Sequence, residues 1–234
     1  EAYNPVTREG MIYYIGSGNA GHQIPYSTGV EIEFLVQKAL TSDGNNSWNV
    51  YTKYGRCSLN TTGSFTIDYS SDSVQIQEGV EYINLRGLNV SNITYITYYK
   101  CKSENFTIGT YQGTGASGNF IETKDVNGVA RKPRRVIIKR IDSTGRWDVF
   151  DSERGTTSYI SLETSEIEGS HILGNFTSSG INLTSTSTNH NASGGQYLYL
   201  VEFDTNSDGG DGYFNYPTDD SNLNITSGKF TFTD

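Results

Sequence analysis

Tyr14 to Ile24 reads YIGSGNAGHQI, and Tyr111 to Ile121 reads YQGTGASGNFI. The shared pattern, Y-x-G-[ST]-G-x-x-G-x-x-I, marks the same point in two copies of one unit, and the flanking sequence carries the repeat outward. Phe34-Leu35-Val36-Gln37-Lys38 answers to Val136-Ile137-Ile138-Lys139-Arg140. A polar turn and a tryptophan strand follow each, Trp48-Asn49-Val50-Tyr51 and Trp147-Asp148-Val149-Phe150. Cys57-Ser58-Leu59-Asn60 then matches Ile160-Ser161-Leu162-Glu163, and Tyr95-Ile96-Thr97-Tyr98-Tyr99 matches Tyr197-Leu198-Tyr199-Leu200-Val201. One order of landmarks, met twice, predicts an internal duplication.

Composition says what each copy is made of. The 234 residues hold 17 Tyr, 10 Phe and 26 Gly but six Ala and one Met, which favours strands and tight turns over helices. Short strands between Gly, Asn and Ser turns, in units of about 100 residues, predict an all-β fold of two tandem Ig-like β-sandwich domains. Boundaries fall at 1–13 for an N-terminal arm, 14–104 for the first sandwich and 105–234 for the second with an acidic C-terminal extension. The arm is a candidate donor strand. Asn105-Phe106-Thr107-Ile108 resembles the end of the chain, Lys229-Phe230-Thr231-Phe232, as though this strand closes the unit before it. Met11, Ile12 and Tyr13 would then complete a neighbouring subunit by strand addition; the plainer reading is that they start the first domain.

A net charge of −9 speaks against nucleic-acid binding, and no apolar run reaches the length of a membrane-spanning helix. The chain opens Glu1-Ala2-Tyr3, as a processed or a trimmed chain would. Charge is uneven. Arg131, Lys132, Arg134 and Arg135, with Lys139 and Arg140, place six of 17 basic residues together, while the segment from Glu202 onward is acidic. Such a pair of ends suits subunit docking, although two solvated faces would look the same.

The glycine motifs fit G-x-G-x-x-G, yet His22-Gln23-Ile24-Pro25 and Asn119-Phe120-Ile121-Glu122 after them open no helix to receive a phosphate. They are expected to form turns. His22, His171 and His190 make no metal or nucleophile motif, and no catalytic residue is assigned. Trp48 and Trp147, at equivalent strand positions, are expected to be core anchors rather than platforms for stacking sugars. Cys57 and Cys101 align with apolar positions of the second copy. A disulfide between them would contribute about 3–4 kcal/mol, against the alternative of two reduced core thiols.

Asp204, Asn206, Asp208 and Asp211 match the first half of a calcium loop, although Asn215 replaces the bidentate Glu and an acidic solvated loop remains the other reading. No other cofactor is expected. Sequons begin at Asn45, Asn60, Asn89, Asn92, Asn105, Asn175, Asn182, Asn191 and Asn224, more than composition supplies by chance, as in a glycosylated extracellular chain.

Phe106 to Gly115 (FTIGTYQGTG), Val136 to Gly155 (VIIKRIDSTGRWDVFDSERG) and Asn191 to Tyr199 (NASGGQYLY) resemble tandem repeat domains of uncharacterised phage tail, virion-surface and extracellular fibre proteins. The resemblance covers about residues 14–203. It implies a structural β-sandwich and carries no catalytic residue across. The expected function is a non-enzymatic structural subunit of an extracellular fibre or virion appendage, a homo-oligomer or helical polymer assembled through the N-terminal arm. The alternative is a calcium-dependent adhesin that binds surface glycans.

Overall fold

The computed structural model describes residues 2–5, 7–19, 22–25, 30–41, 47–66, 82–85, 89–204, 223–226 and 229–232. The fold is all-β, and its strands, numbered in chain order, pair antiparallel. The first large sheet has the order β1 (Ala2–Asn4), β2 (Glu9–Ile15), β8 (Thr94–Cys101), β4 (Ile32–Ala39), β5 (Asn49–Thr52), β6 (Gly55–Ser58). The second runs β14 (Gly169–Ser170), β13 (Gly155–Ser161), β12 (Trp147–Asp151), β11 (Pro133–Arg140), β17 (Gln196–Phe203), β9 (Phe106–Gln112). Smaller sheets pair β3 (His22–Pro25) with β7 (Tyr82–Leu85), and β10 (Asn119–Glu122) with β16 (Gly180–Leu183) and then β15 (Gly174–Thr177). The order β2-β8-β4-β5-β6 is repeated strand for strand as β9-β17-β11-β12-β13.

Strand sequence explains the layering. Thr94–Cys101 alternates half-buried and buried residues along its whole length, the period of a pleated strand. On β4, Leu35 packs with Ile12, Tyr51, Tyr99 and Cys101, while Phe34 and Val36 face the other way. On β17, Tyr197, Val201 and Phe203 join a core with Val136, Ile138, Phe150 and Leu183, while Leu198 and Leu200 point opposite. The two outward sets meet. Phe34, Val36 and Val50 of the first sheet form one core with Phe106, Ile108, Trp147, Leu198 and Leu200 of the second. The large sheets therefore stack on each other.

This changes the expected division. A cut at residue 104 would pass through a shared core, and residues Glu1–Phe203 form one compact unit. Asp204–Asp234 form another, in which β18 (Leu223–Thr226) pairs with β19 (Lys229–Phe232). The donor-strand expectation also needs correction. Met11, Ile12 and Tyr13 lie in β2, paired with Tyr98, Thr97 and Ile96 of their own sheet. Phe106–Gln112 pairs with β17, so it opens the second sheet rather than closing the first. Each copy thus holds its own first strand.

Candidate functional site

The described part of the first glycine motif, Gly16–Asn19, and the second motif are each held by a buried asparagine. The Ser17 amide donates to Asn89 Oδ1 at 2.8 Å, and the Gly18 amide donates to the Asn89 carbonyl at 2.8 Å. In the second copy the Thr114 amide donates to Asn191 Oδ1, and the Gly115 amide to the Asn191 carbonyl, both at 2.8 Å. A Cβ on Gly113 would stand 2.2 Å from the Ala192 carbonyl oxygen, and one on Gly16 would stand 2.1 Å from that of Val90. The glycines are there for close backbone approach. Stacked tyrosines seal both turns, Tyr14 on Tyr95 at 5.1 Å and Tyr111 on Tyr197 at 5.0 Å between ring centres.

Asn89 and Asn191 were legible only as sequons, and the structure corrects them. Asn191 is fully buried and its amide donates to the Ala116 and Ser185 carbonyls, each at 2.8 Å. Asn89, also buried, donates to Ser17 Oγ and the Asn19 carbonyl. Neither amide has a proton or space left for a glycan. Their shared setting, N-x-S-x-x-x-Y ending at Tyr95 and Tyr197, was the signal for the clamp. Asn60, Asn92 and Asn175 are exposed, Asn105 and Asn182 half-buried, and the Asn45 and Asn224 side chains lie outside the described residues.

A buried polar cluster lies beside β12 and β13. Asp148 Oδ1 accepts a hydrogen bond from Ser161 Oγ, and Oδ2 stands 2.8 Å from His190 Nε2. His171 lies 5.2 Å from the His190 ring, with Nε2 2.8 Å from Ser185 Oγ. The residue types are those of a nucleophilic triad, but the order differs. Ser161 donates to the carboxylate and not to the imidazole, so the serine–histidine contact of a triad is not made. Asp148 corresponds to Asn49 in the first copy, each paired across to a serine, Ser161 and Ser58. The cluster ties β12 and β13 to the loop before β17.

The disulfide expectation is overturned. Cys57 lies on β6 and Cys101 on β8, with β5 and β4 between them, and no disulfide joins them. Three strand spacings put them about 14 Å apart, beyond the reach of a bridge. Burial pushes the Cys57 thiol up to about 12.

The basic patch is only partly internal, with Arg135 as well as Lys132 exposed. Arg131 is buried, donates to the Glu104 carbonyl at 2.8 Å and lies over the Phe203 ring. Arg135 pairs with Glu202 at 2.5 Å, and Lys139 is fully buried, donating to the Thr62 carbonyl at 3.0 Å. Arg134 is half-buried, and Lys132 is exposed. Trp147 is the expected core anchor, but Trp48 is 45 % exposed beneath Lys38. Of the calcium residues, Asp204 is exposed while Asn206, Asp208 and Asp211 lie outside the described residues.

Between the large sheets, Lys100 Nζ bridges Glu202 at 2.6 Å and Glu9 at 3.2 Å. Tyr98 donates to Glu9 at 2.6 Å, and the contacts at Glu202 hold its carboxyl below the ordinary value against burial. Beyond this seam no described strand lies over the face of β2. Met11 pairs with Tyr98 and Tyr13 with Ile96, so they share the face of Phe34 and Val36. Met11, Tyr13 and Ile15 are 45, 63 and 60 % exposed. β1 pairs only Glu9–Met11, leaving no strand among the described residues on the outer edge of Ile12–Ile15.

No described helix is long and apolar enough to cross a membrane. Residues 7–204 match the family model described as Domain of unknown function (DUF7483), and that match spans both large sheets apart from β1. No curated protein and no solved structure matches the chain.

Proposed function

The chain belongs to this DUF7483 family, and from that premise we propose that it is a non-enzymatic structural subunit of an extracellular fibre or virion appendage. Its body is two copies of one Ig-like unit, duplicated in tandem and stacked through corresponding faces. Lys100 and Glu202 support this reading. They occupy matching places on β8 and β17, five residues past Tyr95 and Tyr197, and meet each other across the seam. A self-complementary face of this kind is how two identical chains would pack, here joined into one.

The observation that carries the assembly role is the open edge Ile12–Ile15 beside exposed Met11, Tyr13 and Ile15. This edge bears no charge, proline or bulge of the kind that blocks strand pairing. A neighbouring copy adds its own edge strand there, so the N-terminal segment serves as acceptor within its own sheet rather than as a strand given away. Electron microscopy and sedimentation of the purified chain test the idea. Filaments or oligomers that disperse in Tyr13→Lys/Ile15→Lys support it; a monomer at every concentration overturns it. The adhesin reading is separated by a glycan array with and without chelator, since a building block shows no calcium-dependent binding.

A further inference from the structure

Glu33 is the extra residue of a β-bulge: Ile32 pairs with Cys101 and Phe34 with Lys100, leaving Glu33 without a place in the ladder. The same bulge occurs between Pro133 and Arg135, where Arg134 takes that place. Bulges re-aim side chains, and the one at Glu33 turns a carboxylate into a pocket of about 310 Å³ where the two copies meet. Lys53 and Lys102 of the first copy line it with Tyr199, Glu122 and Lys124 of the second. Glu33 is 4 % exposed; Oε1 accepts from Lys53 at 3.4 Å, while the buried Oε2 has no hydrogen-bond partner.

A buried carboxylate oxygen without a donor is costly, and a turn of the Glu33 carboxyl toward the open, polar pocket it lines lets a ligand supply one. Burial pushes the Glu33 carboxyl above its ordinary value, which a bound donor would offset. The other groups limit the ligand. Lys124 is paired with Glu122 at 2.7 Å, and Lys53 with Glu33. Lys102 acts on Glu33 only at a distance and makes no ion pair among the described residues, which leaves its ammonium open to a ligand's negative charge. The volume lies at the low end for small-molecule sites, the size of one sugar ring.

We propose that this pocket binds a polyhydroxylated carboxylate of monosaccharide size, an acidic sugar residue. One hydroxyl donates to Glu33 Oε2 and the carboxylate sits against Lys102. The site goes beyond a structural role and needs no calcium. Titration of the full chain with D-glucuronate, followed by calorimetry or NMR with D-glucose as the uncharged control, tests it. Saturable binding is expected with glucuronate preferred. Lys102→Ala should remove that preference, and Glu33→Ala should weaken both sugars about tenfold or more. If Glu33→Ala does not fold, Lys102→Ala, on a half-exposed residue, decides the matter. The proposal is overturned by no saturable binding, by variants that bind like the parent, or by sulfate competing as well as glucuronate, which would mean a general anion site.

Discussion

Asn191 Oδ1 accepts the Thr114 amide at 2.8 Å, fastening the glycine turn that opens the second copy to the loop that precedes its last core strand, β17. The same carboxamide accepts from Asn119 Nδ2 at 2.9 Å and donates to the Ala116 and Ser185 carbonyls. Asn191→Ala therefore leaves several buried groups unpaired at once and should cost about 3 kcal/mol. Asn89→Ala should cost less, because that clamp has fewer bonds and is slightly more exposed. Thermal unfolding checks both; an unchanged midpoint for Asn191→Ala would remove the clamp from the account of stability.

The all-β class and the recurring strand order were legible because backbone chemistry repeats locally: glycines where backbones touch, tyrosines that stack, alternation along strands. The stacking of the copies was not. Phe34, Val36, Leu198 and Leu200 carry the same apolar pattern whether they face a partner sheet within their own copy or the other copy. Tryptophan equivalence failed for the same reason. Trp147 lies against Phe65 and the Ser58 carbonyl, whereas Trp48, just before β5, is 45 % exposed. A pair of like positions says nothing about which is covered. The pocket at Glu33 was beyond sequence reasoning because it exists only where the copies meet.

Acid should weaken the second copy through His171. Burial, and then the neighbouring His190, hold the His171 pKa below its ordinary 6.5, while Asp148 acts in the opposite direction. Between the lowered value and 6.5 the unfolded chain binds more protons than the folded one, so stability rises with pH across that window and is lost as pH falls. Denaturant midpoints measured from about pH 5 to 7.5 should fall more steeply toward acid in the parent than in His171→Gln. Equal slopes would show that His171 contributes nothing to the acid response.

The separate strands of Cys57 and Cys101 make a chemical prediction. Unfolded in denaturant without reductant, the chain should yield two titratable thiols. Folded at about pH 8, both should react slowly, Cys101 because it is buried and Cys57 because its thiol is pushed up to about 12 and carries little thiolate. A mass two protons lighter, with no thiol detected after unfolding, would contradict the strand order that separates them.

Trp147 tests whether the two copies fold as one. It is fully buried on β12 of the second copy, yet its Nε1 donates to the Ser58 carbonyl of the first at 3.3 Å, and Phe65 of the first lies 6.0 Å from its ring. Lys139, 5.8 Å from that ring, donates to the Thr62 carbonyl, and the Gly145 amide does the same at 2.9 Å. The segment from Ser58 to Phe65 is thus laid on the second sheet, and removing the indole takes away its floor. Trp147→Ala should cost about 4 kcal/mol. The pattern of unfolding is more telling than the cost. A shared core makes residues 1–203 melt in one transition whose calorimetric and van't Hoff enthalpies agree. In Trp147→Ala the first copy should loosen before the second and split that transition. Two resolved transitions in the parent chain would mean that the copies are independent, and that the seam from Phe34 to Leu200 contributes little to the fold.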